Sequence, residues 1–257
     1  MSIRVDISEI YNSLKLYQSV SLKDMQNAAL MDRVDTKFVA SVDLIPNILK
    51  ELADDYKVLE IDGERAFLYK TNYFDTKGYD MYEAHQNGKL NRYKVRQREY
   101  VSSGLHFLEV KFKNNKRRTI KKRIERKEDS VLSHPELHFL NENTPYNSEE
   151  LELKLSNCFH RITLVGNHER VTIDFGLSFS DNNGFAEDFH QIAIVELKQL
   201  KYSSTTQAMN ALRKNKVKAQ SFSKYCLGAA SFNSQIKSNR MKSKFELIHK
   251  IESTFGE

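Results

Sequence analysis

Several residue types are scarce in this chain of 257 residues, and each scarcity excludes a class of protein. The 3 prolines and 9 glycines, set against 40% hydrophobic residues, exclude fibrous and disordered chains. The 2 cysteines, Cys158 and Cys226, stand far apart and have no CxxC or Cys/His spacing, so a zinc site is not expected. We interpret both cysteines as free thiols in a reducing compartment.

Long hydrophobic runs and an excess of one charge are also missing. No apolar run approaches the length of a membrane span, and Met1–Tyr17 is too charged for a signal peptide. The 40 basic residues are opposed by 34 acidic ones, so the net charge of +6 says little about partners. Because neither a membrane span nor a signal peptide is evident, we expect a cytoplasmic protein. We also expect one domain, because the sequence has neither an internal repeat nor a low-complexity linker.

The most informative run is Arg92-Tyr-Lys-Val-Arg-Gln-Arg98, in which every second residue is a cation. Side chains of a β-strand alternate between its two faces, so these cations share one face. Like charges at that spacing repel one another, which favours an anionic ligand opposite them. Taken alone, a solvated edge strand that uses charge to prevent edge pairing explains the run equally well.

Five further segments repeat the charged face, most of them with an apolar reverse. They are Arg33–Phe38, Leu108–Lys113, Lys116–Lys127, Arg170–Phe175 and Ile194–Lys198. Interior and exterior residues alternate on every strand of a closed barrel, and an apolar exterior must be covered. The sequence therefore predicts an α+β fold, an antiparallel β-barrel tunnel with a charged lumen surrounded by helices. Charged, helix-like connecting segments argue against a membrane barrel.

Periodicity and breakers predict the other elements. Helices are expected over Ile7–Tyr17, Leu22–Met31, Asp43–Ala53, Tyr79–Asn87, Glu149–Cys158, Thr205–Leu212, Lys224–Asn233 and Lys242–Thr254. A strand is expected over Arg65–Phe74, a hairpin turn at Ser102–Gly104, a turn between two strands at Asp181–Gly184 and an irregular segment over Ser133–Asn147. The domain divides into a helical lead-in (1–30), a tunnel core (31–228) and a C-terminal helical segment (229–257).

Eight short motifs follow one another in a specific order. They are Arg33-Val-Asp-Thr-Lys-Phe, Tyr73-Phe-Asp, Arg96-Gln-Arg-Glu-Tyr, Glu109-Val-Lys, Lys121-Lys-Arg, His160-Arg with Arg170-Val-Thr-Ile-Asp, Glu196-Leu-Lys and Phe222-Ser-Lys-Tyr. Each motif is weak alone, but their order from about Met31 to Gly228 resembles the VTC domain. That domain is the catalytic module of the vacuolar transporter chaperone polyphosphate polymerases, within the triphosphate tunnel metalloenzyme (CYTH-like) superfamily.

The resemblance implies a role for individual residues. The cations that would grip a phosphate chain are Lys37, Arg96, Arg98, Lys111, Lys122, Arg161, Arg170 and Lys224. Lys121 is as good a candidate as Lys122 by register. Ser223 would add a hydroxyl contact, Lys198 would join it in binding substrate or cofactor, and Glu196 would hold a divalent cation, Mn²⁺ or Mg²⁺. His160 stands near where the family tends to have a tyrosine.

The implied reaction transfers the γ-phosphate of ATP to the end of a polyphosphate chain and releases ADP. Phosphoryl transfer needs positioning and charge neutralisation, which arginine forks and lysine amines supply. The attacking group is already an anionic phosphate oxygen, so a general base is not required. The expected partners are ATP and inorganic polyphosphate, and no nucleic acid is expected.

Other functions remain open on the sequence. A metal-dependent triphosphatase or another nucleotide-processing tunnel enzyme is the first alternative. Triphosphatases and class IV adenylate cyclases of this superfamily typically begin with Glu-x-Glu-x-Lys, whereas this chain has Arg33-x-Asp35-x-Lys37, with one carboxylate fewer, which disfavours hydrolysis. A non-catalytic polyphosphate-binding module and a nucleic-acid-binding protein are further alternatives. Several polar residues are expected to have no role in a site: Lys113, Lys116, Arg117 and Arg118 as a solvated hairpin, Asp75 as a turn cap, and His85, His134 and His138 as surface residues.

Overall fold

The computed structural model describes residues 7–27, 33–116, 118–127 and 131–255. The strands are β1 (Ser19–Val20), β2 (Val34–Ser41), β3 (Lys57–Leu59), β4 (Ala66–Thr76), β5 (Arg92–Tyr100), β6 (Leu105–Lys113), β7 (Thr119–Arg126), β8 (Leu151–Gly166), β9 (Glu169–Asp181), β10 (Ala186–Phe189) and β11 (Ile192–Gln199). The helices are α1 (Ser8–Leu14), α2 (Leu22–Asn27), α3 (Ile45–Leu52), α4 (Asp80–Gln86), α5 (His134–Asn143), α6 (Gln207–Lys214), α7 (Lys224–Phe232) and α8 (Lys242–Ser253). Short 3-10 turns lie at Val42–Leu44, Val101–Ser103, Ser148–Glu150 and Asn239–Met241.

These strands form one sheet, whose main path runs in the order β2-β11-β9-β8-β4-β5-β6-β7. Neighbours along this path are antiparallel. The two-residue β1 pairs in parallel with β3, which joins the sheet through β8, and β10 pairs with β9. Each of the six charged segments predicted as strands is a strand of this sheet.

The two ends of the path curve toward each other. Lys111 on β6 lies close enough to Glu196 on β11 and Lys37 on β2 for their charges to affect its pKa. In the described residues, β2 and β7 are not paired with each other. The edge of β2 is instead covered by the segment before α7, where Gln220 N–H donates to the Lys37 carbonyl at 2.8 Å. The α+β fold with a large antiparallel sheet around a charged lumen is thus confirmed. Among the described residues, strand pairing does not close the sheet at β2, where the segment before α7 lies instead.

Helices α1, α3 and α6 cover the outer face of β8, β9 and β11 in one hydrophobic core. In α3, Ile45, Ile48, Leu49 and Leu52 recur at the spacing of one helical face and are fully buried. Pro46 occupies the first turn of this helix, as expected, because the missing N–H has no intrahelical partner there.

Helix α7 packs against the same sheet at one end of the lumen. Its residues Tyr225 and Leu227 share a core with Leu155 and Phe159. The approach is close at Gly228, where a Cβ atom would lie 2.7 Å from the ring of Phe179. This helix therefore fills the apolar end of the concave face, and its N-terminus points toward the charged end.

The structure corrects the prediction of an irregular segment over Ser133–Asn147, because α5 lies within it. The helix begins at a capping box, in which the Glu136 carboxylate accepts from the backbone N–H of Ser133 at 2.7 Å. The spacing Ser133-x-x-Glu136 is a sequence signal for such a start.

The helix predicted over Glu149–Cys158 is also wrong, because this segment belongs mainly to the 16-residue strand β8. Leu151 and Leu155 are buried, and the residues that alternate with them are more exposed. Pairing with β4 and β9 on both sides outweighs the helical propensity of Glu, Leu and Lys.

The other predicted elements are present with shifted ends. The helix predicted over Leu22–Met31 corresponds to α2, and residues 28–31 lie outside the described part of the chain. Both cysteines are free thiols, as predicted. Among the described helices, none combines the length and the apolar character that crossing a membrane requires.

Candidate functional site

The cations of β5 and β6 share the concave face of the sheet. Residues directly opposite each other in an antiparallel pair lie on the same face. Lys94 is opposite Lys111, and Arg96 is opposite Glu109. Arg98, two residues further along β5, shares that face. The period-two reading of the sequence is confirmed here by the strand register.

The facing wall of the lumen comes from β2, β11, β9 and β8. Glu196 on β11 is opposite Lys37 on β2, and Lys198 follows on the same face. Asp174 on β9 is opposite Arg161 on β8. The charge of Arg161 acts on the pKa of Arg96, which places the two walls within electrostatic reach.

Three carboxylates of the lumen, Glu109, Asp174 and Glu196, each lie between two cations from different elements. The Glu196 carboxylate is 2.6 Å from both Lys37 Nζ and Lys198 Nζ. The Glu109 carboxylate is 2.8 Å from Arg96 Nη2 and also contacts the amine of Lys121. The Asp174 carboxylate accepts from Arg161 Nε at 2.5 Å and from the amine of Lys224. We call these three groups the lumen triads.

The triads keep their carboxylates ionised. Burial alone raises the pKa of a carboxyl, but the flanking cations outweigh it. The pKa of Glu109 falls to about 2 because Arg96 and Lys121 overcome the effect of burial. The pKa values of Asp174 and Glu196 are likewise well below their usual range, held there by Arg161 and Lys224 and by Lys198 and Lys37.

Arg98 differs from the triad cations, because it makes no hydrogen bond or ion pair with a described residue. It is 6% exposed, and its Nε lacks a hydrogen-bond partner. Its guanidinium lies 5.3 Å from the ring centre of Tyr69. Burial and the charges of Arg96 and Arg161 lower the pKa of Arg98 to about 10, although the charge of Glu109 opposes the shift. A buried cation without a direct ion-pair partner is costly, so this position favours a bound anion.

Five lysines of the lumen have depressed pKa values: Lys94, Lys111, Lys121, Lys198 and Lys224. Burial lowers the pKa of Lys111 to about 7, with Arg96 adding to the effect. Burial lowers the pKa of Lys224 to about 7 and that of Lys198 to about 8, although Asp174 and Glu196 oppose the shift. An anion placed among these amines would restore their protonated state.

Lys122 is not part of the lumen, which corrects the choice between it and its neighbour. Lys122 is opposite Val110, whereas Lys121 is opposite Lys111. Because side chains alternate along β7, Lys122 lies on the outer face, where it is exposed. Lys121 lies on the lumen face and contacts Glu109.

Ser223 and Arg170 lie at the edges of the lumen, and His160 lies outside it. Ser223 caps α7 and accepts from Lys94 Nζ at 2.7 Å. Arg170 lies opposite Lys198, but its guanidinium donates to the Met25 carbonyl at 3.0 Å. His160 points to the opposite face from Arg161 and stacks on Phe175, with ring centres 5.5 Å apart.

The sequence places Lys94 on one face with Arg96 but gives it no individual role, and it leaves Lys121 and Lys122 as equal candidates. The pairing of each of the three carboxylates with two cations was not predicted. The period-two signal is present for both lysines, since Lys94 shares a face with Arg96 and Lys121 is opposite Lys111. The pairings cross between elements distant in the chain. Arg161 and Lys224, for example, meet only at Asp174.

Glu196 is the candidate ligand for a divalent cation. Over the described residues, no three His, Cys, Asp or Glu side chains come together as a metal cage. Mg²⁺ at phosphate sites takes one or two carboxylates and completes its coordination with phosphate oxygens and water. The ionised Glu196 fits a cation held in that way, together with a phosphate substrate, and does not fit a cage built of protein ligands alone.

Comparisons with known proteins agree with this geometry. A family model described as the VTC domain matches residues 32–233. No curated protein sequence matches the chain significantly. A putative adenylate cyclase from Bacillus halodurans superimposes with a TM-score of 0.50 at 12% identity, over 75% of this chain and 94% of the other. This similarity shows a shared fold.

Two further solved structures are similar over a comparable length. A putative adenylate cyclase from Vibrio parahaemolyticus has a TM-score of 0.43 and 15% identity, over 76% of this chain and 95% of its own. A putative adenylyl cyclase from Hippeastrum, described as having a dominant triphosphatase activity, has a TM-score of 0.46 and 11% identity, over 77% and 95%.

Proposed function

Because the chain belongs to the VTC domain family, we propose that it is a polyphosphate polymerase, which transfers the γ-phosphate of ATP to a growing polyphosphate chain. The observation that carries the proposal is the convergence of cations from both walls of the sheet on one lumen. Arg98 makes no direct ion pair with a described residue, and the six triad cations share three carboxylates. Family membership and this geometry together support the coarser assignment, a tunnel enzyme that acts on triphosphate-containing substrates.

The lumen triads can bind a phosphate chain if phosphate oxygens replace a carboxylate as the partner of a cation. Each lumen triad holds its cations in place in the free protein, so their side chains are ordered before substrate arrives. Phosphate oxygens would replace the carboxylate for one cation of a triad, while the other cation keeps the carboxylate neutralised. Arg96 and Arg161 offer two-pronged contacts, whereas Lys37 and Lys224 offer compact charge.

The reaction itself requires few groups from the protein. An anionic phosphate oxygen of the chain attacks the γ-phosphate of ATP, and ADP leaves with the bridging oxygen. The lumen cations stabilise the negative charge that the transition state spreads over phosphate oxygens. Lys198 and Glu196 would hold the nucleotide side of the site, and Ser223 would donate a hydroxyl contact. A divalent cation, when bound with ATP, supplies further charge neutralisation.

A non-catalytic binding module is the second candidate, and one observation favours it. Both oxygens of Glu196 are engaged by lysines in the free protein, so metal binding must compete with Lys37 and Lys198. Hydrolysis has less support, because Arg33 pairs with Asp35 at 2.9 Å at an exposed position, and this motif offers no second carboxylate beside Lys37.

The test of the proposed function is a product assay. The purified protein is incubated with ATP and Mn²⁺ or Mg²⁺, and the products are resolved by gel electrophoresis and by phosphate release. We expect long chains and ADP. Free phosphate without chains would identify a hydrolase, and tight polyphosphate binding without turnover would identify a binding module.

Neighbouring lysines of β7 provide a matched control for this assay. Lys121→Ala removes a lumen cation, whereas Lys122→Ala removes the same charge from the outer face. We expect chain synthesis to fall at least about tenfold in the first variant and to stay near wild type in the second. Equal losses would show that the activity does not depend on the lumen.

Proton uptake on binding is a further prediction. At pH 8 the amine of Lys111 is mostly neutral in the free protein, because its pKa is about 7. Polyphosphate raises this pKa, so binding should take up about one proton at Lys111. Isothermal titration calorimetry in two buffers of different ionisation enthalpy measures this number.

The Lys111→Arg variant is the control for that measurement, because its guanidinium stays protonated at pH 8. We expect the variant to take up about one proton fewer than wild type.

The depressed pKa of Lys111 also predicts how the stability of the free protein depends on pH. The direction is opposite to that for a lysine in an ordinary ion pair. A folded pKa below the unfolded value of 10.5 means that the unfolded chain binds more protons between pH 7 and 10.5, so the free protein should gain stability as pH rises through this window.

A further inference from the structure

A cavity of about 380 Å³ lies beside the N-terminus of α7, outside the lumen. Its lining includes Arg92 at the start of β5, Ser223 before α7, and Arg240 and Lys244 from the C-terminal segment. Every one of these side chains can donate a hydrogen bond, and three of them are cationic. The chemistry of the lining therefore suits an anion with several acceptor oxygens.

The cavity continues the charged face of the lumen. Arg92 lies two residues before Lys94 on β5 and so points to the same face. Ser223 lines the cavity and also accepts the hydrogen bond of Lys94, which joins the two spaces. Because α7 fills the apolar end of the concave face, the row of cations along β5 leads past this helix into the cavity.

The two arginines of the cavity have no carboxylate partner among the described residues. Arg92 donates to the Lys89 carbonyl at 3.2 Å, and its pKa is lowered by burial. The guanidinium of Arg240 lies against Gly88, where a Cβ atom would be 2.7 Å from Nη1. Gly88 has a φ of +70°, so this position both ends α4 and leaves room for the guanidinium.

Two residues of α4, His85 and Gln86, also line the cavity. Gln86 is 2% exposed, and its side chain is a hydrogen-bond partner of Tyr82. His85 is half-buried, which corrects its prediction as a surface residue, and its Nδ1 is buried without a partner. The α4 side of the lining is therefore polar as well.

We infer that this cavity is a second binding site for oligophosphate, outside the lumen. Two sources share this chemistry: the segment of polyphosphate that leaves the lumen past Arg92, and a separate soluble oligophosphate. The first source rests on the proposed function, since it requires a chain in the lumen. The second requires only the donors of the cavity.

The test compares two double variants by isothermal titration calorimetry with tripolyphosphate and with a long polyphosphate chain. Arg92→Gln with Arg240→Gln removes both unpaired guanidinium groups and keeps polar side chains. Lys242→Gln with Lys250→Gln removes two exposed cations of α8 as a control. The single variant Arg240→Gln and melting curves without ligand show whether the fold is retained.

We expect the first double variant to bind the long chain at least about tenfold more weakly than wild type, with the control unchanged. If the chain is the source, tripolyphosphate binding in the lumen stays the same. If a separate ligand is the source, a second equivalent of tripolyphosphate disappears while long-chain affinity is retained. Equal binding by wild type and the first double variant overturns the inference alone, whereas absence of phosphate binding by wild type overturns the proposed function as well.

Discussion

Replacing Arg98 with methionine is expected to stabilise the free protein and to weaken polyphosphate binding. Arg98 is buried without a direct ion-pair partner, so a methionine of similar length removes a desolvated charge and keeps the packing beside Tyr69. A gain of about 1 kcal/mol would raise the melting temperature by roughly 2–4 °C in a domain of this size. Affinity for polyphosphate should fall by about tenfold or more, because the vacant guanidinium is a ready partner for phosphate oxygens.

Arg96→Met is the matched control, since Arg96 precedes Arg98 on the same face of β5 but belongs to a triad. Its loss leaves Glu109, which is 1% exposed, with Lys121 as its remaining triad cation. Breaking a buried pair costs about 3–5 kcal/mol, and the remaining lysine should reduce this to roughly 2 kcal/mol. We therefore expect both variants to bind polyphosphate more weakly and only Arg96→Met to melt lower.

Thermal melting with and without polyphosphate separates these effects. A drop in melting temperature for Arg98→Met, with normal polyphosphate affinity, would show that Arg98 stabilises the fold through a structural role. An unchanged stability for Arg96→Met would show that the Glu109 triad contributes nothing to the free protein. The first result would contradict the inference that the charge of Arg98 destabilises the free protein. The second would contradict the inference that the triads stabilise it.

The charged strands could be predicted from the sequence because alternate residues of a β-strand lie on opposite faces. Arg92 to Arg98 and Ile194 to Lys198 each contain enough alternation to fix which side chains share a face. The same period identifies β8 through Leu151, Leu153 and Leu155, yet helix-forming residues between them obscure it. Propensity misleads there because pairing on both sides decides the conformation.

The geometry of the triads could not be predicted in the same way. Alternation places Glu109 and Lys111 on one face, but it does not say which cation reaches which carboxylate. Asp174 receives Arg161 from the neighbouring strand and Lys224 from a helix fifty residues further along the chain. Such contacts depend on the curvature of the sheet and on where α7 packs, which are tertiary properties.

The lumen triads also explain why single carboxylates are hard to assign to metal binding from a sequence. Glu109, Asp174 and Glu196 each have an ionised carboxylate and two cationic neighbours, so burial and charge do not distinguish them. Family resemblance selects Glu196. A variant that removes its charge without changing its shape is needed to separate the metal role from the structural one.

Glu196→Gln is expected to abolish metal-dependent turnover while polyphosphate still binds. The amide keeps the size of the side chain but is a poor ligand for a hard divalent cation, which prefers carboxylate oxygens. A loss of several kcal/mol of charge stabilisation corresponds to a fall in turnover of about a hundredfold or more. Binding of polyphosphate without metal should stay level or improve, because one anion has left the lumen and Lys37 and Lys198 are free to contact phosphate.

Asp174→Asn is the control for this prediction, because it removes a carboxylate that also lies between two cations. Turnover is measured over a range of Mn²⁺ and Mg²⁺ concentrations, and Mn²⁺ binding in the presence of a non-hydrolysable ATP analogue is measured by electron paramagnetic resonance. Both variants should lose some stability in the free state, since each leaves two buried cations without their shared carboxylate. Loss of the bound Mn²⁺ signal should be specific to Glu196→Gln. If Glu196→Gln keeps near wild-type turnover and Mn²⁺ binding while Asp174→Asn loses them, Asp174 is the metal-holding carboxylate and Glu196 serves the structure alone.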